Sequence, residues 1–207
     1  MQIKICGVTD ISEIKFLNKF KPEYIGFVFA ESKRKITKAK GKLFFYSIHE
    51  DIKIVGVFRN NTKEFIEDIL KDITLDVIQL HGDEDDSFIK YFKEKYDVQV
   101  WKGVSIETKE DFNKAIKLPV DALILDGKNP GEGKVFNWSN IGDIPKGLKV
   151  FIAGGISEEN VIEAMAFKAI HGIDVSSSVE SIINDKRIKD EKKVERLIRK
   201  VRENNER

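Results

Sequence analysis

The sequence is poor in the residues that staple or metallate a small fold. It has one cysteine, Cys6, in 207 residues, so no disulfide can form within the chain, and a reducing, cytoplasmic setting is expected. That single thiol and three histidines leave little from which to build a structural zinc site, and no metal is expected. Charge of one sign is lacking too. Against 36 Lys and Arg stand 35 Asp and Glu, a net charge of +1, which supplies no field for nucleic acid or an anionic membrane. The longest apolar runs, such as 24–30, fall far short of the ~20 residues that span a bilayer. The opening Met1-Gln2-Ile3-Lys4-Ile5-Cys6 reads as a strand and not as a signal peptide, because no long apolar stretch follows a basic one. No linker, low-complexity tract or short repeat is evident, so one domain over 1–207 is expected.

What is present is a globular composition, 41% hydrophobic and 34% charged. Short β-branched runs predict strands near 2–6, 24–29, 53–58, 76–80, 98–102, 121–125, 149–153 and 172–175. Longer amphipathic stretches predict helices such as 11–20, 62–71, 85–95, 108–116, 157–167 and 189–203. Thr62, Thr108 and Ser157 are placed to cap helices, with Glu158 and Glu159 complementing the positive end of the last of these. Repeated β-then-α alternation predicts an α/β fold, a single closed (β/α)₈ barrel.

In such a barrel the reactive groups lie at the carboxyl ends of the strands, and strand parity decides which share the mouth. In the first strand Ile3 and Ile5 are expected to face the helices, leaving Gln2, Lys4 and Cys6 inside with Cys6 uppermost. In the sixth, Leu123 and Leu125 face outward while Ala122, Ile124 and Asp126 face in. Gln79 and His81 share the inward parity of the fourth. Taken singly, a lone Cys in an apolar strand is commonly inert core, Asp before Gly commonly a turn former, and His81-Gly82 a turn with a solvated ring. Convergence on one mouth is what raises them to candidates.

Two further segments bear on ligands. Ala153-Gly154-Gly155-Ile156-Ser157 is expected to end the seventh strand and open a helix, and Asp174-Val175-Ser176-Ser177-Ser178-Val179-Glu180 to end the eighth. Glycine amides, serine donors and a helix N-terminus at strands seven and eight together suit a phosphate. Ser32-Lys33-Arg34-Lys35 is a charge run of the kind usually solvated, yet at a barrel mouth one Arg can clamp a carboxylate bidentately.

Over nearly its whole length the chain resembles the phosphoribosylanthranilate isomerase family. The resemblance is carried by Lys4-Ile5-Cys6-Gly7, Gly26-Phe27-Val28-Phe29 with Ser32-Lys33-Arg34, Val55-Gly56-Val57-Phe58 and Gln79-Leu80-His81-Gly82. Leu125-Asp126, Phe136-Asn137-Trp138, Ala153-Gly154-Gly155-Ile156 with Glu159-Asn160-Val161, and Asp174-Val175-Ser176-Ser177 follow in the same order. It implies a cofactor-free enzyme that rearranges N-(5-phosphoribosyl)anthranilate to 1-(2-carboxyphenylamino)-1-deoxyribulose 5-phosphate in tryptophan biosynthesis. By the same resemblance Cys6 is the general base, Asp126 the general acid and Arg34 the carboxylate clamp. Gln79, His81, Gly154, Gly155, Ser176, Ser177 and Ser178 complete the substrate-binding set. The partner is then a small phosphosugar–anthranilate, with no nucleic acid or membrane, and the protein a monomer or homodimer. Thiol and carboxyl pKa values of about 8.5 and 3.9 must both move toward neutrality for this chemistry. Ala122 and Ile124 are expected to raise Asp126 by desolvation, and Lys4 or the cation formed on ring opening to favour the Cys6 thiolate.

The chain departs from the family pattern at three places. Pro130-Gly131-Glu132-Gly133 replaces a Gly-Gly-Thr-Gly loop, Asn137 replaces an Asp, and Ser178 replaces the glycine of Ser-Ser-Gly-Val-Glu. If that glycine needs a positive φ, Ser178 is strained. Two other readings are another phosphosugar isomerase or epimerase on the same scaffold, and a phosphosugar-binding barrel without turnover.

Overall fold

The computed structural model describes residues 1–127, 137–167 and 169–205. Eight parallel strands close on themselves in chain order. They are β1 (Gln2–Cys6), β2 (Tyr24–Val28), β3 (Lys53–Phe58), β4 (Val77–Leu80), β5 (Gln99–Ser105), β6 (Ala122–Asp126), β7 (Lys149–Ile152) and β8 (Gly172–Val175). Among the described residues seven helices follow or flank them: α1 (Ile11–Phe20), α2 (Lys38–Phe45), α3 (Lys63–Leu70), α4 (Asp86–Lys95), α5 (Lys109–Ala115), α6 (Val161–Met165) and α7 (Glu191–Asn205). After β8 the chain adds an antiparallel hairpin, β9 (Glu180–Ile183) with β10 (Lys186–Lys189).

Strand alternation divides the apolar side chains into two cores. Ile3, Ile5, Ile25, Phe27, Leu123 and Leu125 belong to the layer between barrel and helices. Tyr24, Val55, Val77, Trp101, Ile124 and Phe151 fill the barrel itself, and Cys6 packs on that inner set. The inner aromatics interlock: Trp101 lies 4.8 Å from Tyr24 and 4.7 Å from Phe151, centroid to centroid. The barrel is a packed core, and the space for chemistry lies above it.

Side-chain caps start most helices, because the first N–H groups of a helix have no internal partner. Thr62 accepts from Phe65 N, and Thr108 forms a reciprocal box with Asp111. Ser157 does not cap a helix. Asn160 Oδ1 accepts from Ser157 N at 2.9 Å and Asn160 Nδ2 donates to Gly155 O at 2.9 Å, which holds a turn, and α6 begins only at Val161. Lys189 is likewise not helical: it ends β10 and is buried. Between β6 and β7 the described residues contain a 3₁₀ turn, Trp138–Asn140, where an α-helix was expected by alternation. Asn137 caps that turn by accepting from Ser139 N, whereas Pro130, Gly131, Glu132, Gly133 and Phe136 lie outside the described residues.

Candidate active site at the carboxyl ends of the barrel strands

A cavity of about 680 Å³ opens above the inner core, within the range of small-molecule sites. Cys6, Arg34, His81, Asp126, Gly154 and Gly155 line it, as do Ser176 and Ser177. Of the ten residues singled out from sequence, Gln79 and Ser178 are not among its walls. Gln79 is fully buried one layer below, and its Nε2 donates to His81 Nε2. The Ser178 hydroxyl donates to Ile156 O at 2.6 Å, stitching the loop after β8 to the loop after β7. Its backbone does not have a positive φ, so serine in place of glycine brings no left-handed strain.

Cys6 owes its place to its neighbours. Register pairs it with Gly26 of β2, where a Cβ would stand 2.8 Å from the Cys6 sulfur. Beneath it Lys4 is fully buried and donates to Asp174 Oδ1 at 2.8 Å. Burial works to depress Lys4, but Asp174 and then Cys6 outweigh it, and the ammonium is held above the ordinary lysine range. For Cys6 burial dominates and pushes the thiol up, while Lys4 pulls it down and Asp174 pushes it further up. The expectation that Lys4 favours the thiolate is right in sign, but burial outweighs it.

Asp126 ends β6, is 6% exposed, and accepts from Gly127 N at 2.8 Å. His81 is held neutral: burial, then the Lys4 charge, lowers it to about 4. Its ring lies against Gly103, where a Cβ would come within 2.4 Å of Cε1. Gly154 and Gly155 have φ of 69° and 70°, a left-handed pair that side chains rarely adopt. Their backbone faces the cavity beside Ser176 and Ser177.

Three cations on or near this wall were not singled out from sequence. Lys102 is buried, lines the cavity and donates to Glu84 Oε2 at 2.6 Å and Gly82 O at 2.7 Å, fastening the loop after β4. Its signal was a charge at an outward-parity position of a strand, next to buried Val100. Arg59 lines the rim and carries no ion pair among the described residues. Lys189 reaches Ser176 O and Oγ, each at 3.2 Å, from the hairpin. Among the described residues no group of three or more His, Cys, Asp or Glu is arranged to hold a metal, and no helix is long and apolar enough to cross a membrane.

Comparison with known proteins gives this geometry a setting. The family model described as N-(5'-phosphoribosyl)anthranilate (PRA) isomerase matches residues 3–200. An N-(5'-phosphoribosyl)anthranilate isomerase of Clostridium beijerinckii is 39% identical, over 98% of this chain and 97% of its own. The crystal structure of phosphoribosyl anthranilate isomerase from Thermus thermophilus superposes with a TM-score of 0.87 at 27% identity, over 98% and 99% of the two chains. A phosphoribosyl anthranilate isomerase solved with reduced 1-(o-carboxyphenylamino)-1-deoxyribulose 5-phosphate gives 0.82 at 26% identity, over 98% and 99%. Full-length coverage, the same barrel, and a thiol and a carboxyl lining one cavity agree: the chain belongs to the N-(5'-phosphoribosyl)anthranilate isomerase family.

Proposed function

We propose that Cys6 and Asp126 carry the family's reaction as general base and general acid. The observation that supports this most is that β1 and β6 deliver them to one cavity of about 680 Å³. Asp126, protonated, donates to the furanose ring oxygen as the C1–O bond breaks, and the anilino nitrogen supplies electrons to give an iminium ion. That cation acidifies the C2 hydrogen, which Cys6 removes as thiolate, leaving an enolamine. Tautomerisation gives the ketone, so the substrate is isomerised without net loss of atoms or electrons. Since burial raises the Cys6 thiol, the iminium charge formed beside it supplies the shift that Lys4 alone does not. His81, neutral and pinned by Gln79, serves as a dipole at the mouth and not as the acid.

The remaining walls suit the two ends of the substrate. The glycine pair Gly154 and Gly155 with Ser176 and Ser177 offers donors for a 5'-phosphate. Because α6 starts four residues later than expected and is short, the anion is held by these loop groups more than by a helix end. The Ser178 hydroxyl braces these phosphate loops through Ile156 O. Arg34 faces the anthranilate carboxylate. In this reading the chain is one cytoplasmic domain, a monomer or homodimer, acting without metal or cofactor on a phosphosugar–anthranilate.

An anthranilate-fluorescence assay with freshly made substrate tests the assignment. Cys6→Ala and Asp126→Asn are each expected to lower kcat by about 10²–10⁴, the usual contribution of one positioned acid or base. Cys6→Ala retaining more than a tenth of wild-type kcat would overturn it. Turnover of a ribulose phosphate in place of this substrate favours the epimerase reading, and tight product-analogue binding with no turnover the non-catalytic one.

A further inference from the structure

Arg34 is held more tightly than a surface clamp needs. Its guanidinium has two hydrogen-bonding edges. Glu180 takes the side edge, with Nε donating to Oε1 at 2.6 Å and Nη2 to Oε2 at 2.9 Å. The end edge, Nη1 with the second hydrogen of Nη2, remains on a residue that lines the cavity. Its stem is fixed as well: Gly7 has φ 78°, and a Cβ there would stand 2.4 Å from Arg34 Cδ.

Glu180 is supplied by β9, outside the barrel. Its carboxylate is 4% exposed and accepts from Lys189 Nζ of β10 at 2.7 Å, while Lys189 Nζ is itself buried. Arg187 Nη1 approaches the same carboxylate from the rim at 3.7 Å. The backbone of Lys189 is anchored in turn, its N–H donating to the buried Glu13 Oε1 at 2.8 Å. Through Lys189 and Ser176, whose hydroxyl donates to Cys6 O at 2.9 Å, the same unit touches the end of β1. Fastening a hairpin does not require this arrangement, because a buried ion cluster costs desolvation that apolar packing avoids. It does keep one guanidinium edge fixed and the local charge positive.

We propose that Glu180 and Lys189 are positioning residues for substrate recognition. Glu180 clamps one edge of Arg34 so that the other is presented to the anthranilate carboxylate, and Lys189 offsets the Glu180 charge so that the site still attracts an anion. The proposal rests on Arg34 facing that carboxylate.

The test measures equilibrium binding of two probes, the reduced product analogue and its phenylamino counterpart without the carboxylate. The proteins are wild type, Arg34→Met, Glu180→Gln, Lys189→Met and the double variant Arg34→Met/Glu180→Gln. Glu180→Gln and Lys189→Met are expected to weaken the carboxylated probe about tenfold or more, since small misplacements of a clamp are costly, and the other probe less than about twofold. In the Arg34→Met background, Glu180→Gln should add nothing for either probe, as expected of a residue acting through its neighbour. With substrate, Glu180→Gln should raise KM with kcat nearly retained. Glu180→Gln that keeps the wild-type preference for the carboxylate, or weakens both probes alike, overturns the proposal. Arg34→Met that keeps the preference overturns instead the reading of Arg34. Lys189→Met reports the same ratio if Glu180→Gln does not accumulate as folded protein.

Discussion

His81 shows how one residue ties the site to the stability of the fold. Its imidazole is lowered from 6.5 to about 4 by burial and then by the Lys4 charge. The unfolded chain therefore binds a proton that the folded chain refuses, between about pH 6.5 and 4. Stability tied to this ring is complete above pH 6.5 and is lost as the pH falls toward 4, at up to about 1.4 kcal/mol per pH unit. Urea unfolding of wild type and His81→Asn at pH 7, 6 and 5 checks this. Wild type should lose stability more steeply than the variant on acidification. Parallel losses would show that His81 is not protected from protonation. The sign also separates His81 from Cys6, whose thiol burial pushes up.

At the scale of elements, register turns sequence parity into chemistry. β1 and β2 pair Cys6 with Gly26, and the missing side chain at Gly26 is the space the sulfur occupies. Gly26→Ala puts a Cβ 2.8 Å from that sulfur and 3.2 Å from the Cys6 Cα, so the thiol must move. The expected result is a stability loss of about 1–3 kcal/mol from overpacking and, with Cys6 as the proposed base, a kcat lowered about 10²-fold by its misplacement. Steady-state kinetics with a thermal melt would show both; an unchanged kcat would mean that the position of Cys6 does not limit the reaction. The alternation that placed Cys6 and Asp126 inside was legible because period two is a local signal. Thr62 and Thr108 were legible as caps for the same reason. Ser157 misled because its hydroxyl accepts from Glu159 N at 3.3 Å within a turn that Asn160, three residues on, closes before α6 begins. The β9–β10 hairpin had a readable mark, Asn184 and Asp185 with φ of 49° and 61° in a two-residue turn, but its short charged strands carry no clear alternation. The contact of Arg34 with Glu180 had none, since it joins positions 146 residues apart.

The whole molecule depends on a seam. Closure pairs β1 with β8, Lys4 opposite Asp174, so the first and last strands of the barrel must find each other across most of the chain. α7 holds the chain ends together. Val194, Leu197, Ile198 and Val201 bury one face of it, Arg202 Nη2 donates to Lys21 O at 2.6 Å, and Asn205 Oδ1 accepts from the Met1 ammonium at 2.9 Å. No α7 residue lines the cavity, so this helix contributes to stability without touching the chemistry. Leu197→Ala is therefore expected to cost about 2–5 kcal/mol, lowering Tm by about 2–4 °C per kcal/mol for a chain of this size. At a temperature where the variant is still folded, kcat should stay within about twofold of wild type, because additivity holds between remote sites. Urea titration by far-UV circular dichroism, with kcat measured on the same preparation, separates the two effects. A kcat that falls with the stability would show that the seam is coupled to the mouth of the barrel. An unchanged unfolding midpoint would show that the barrel closes without the help of α7.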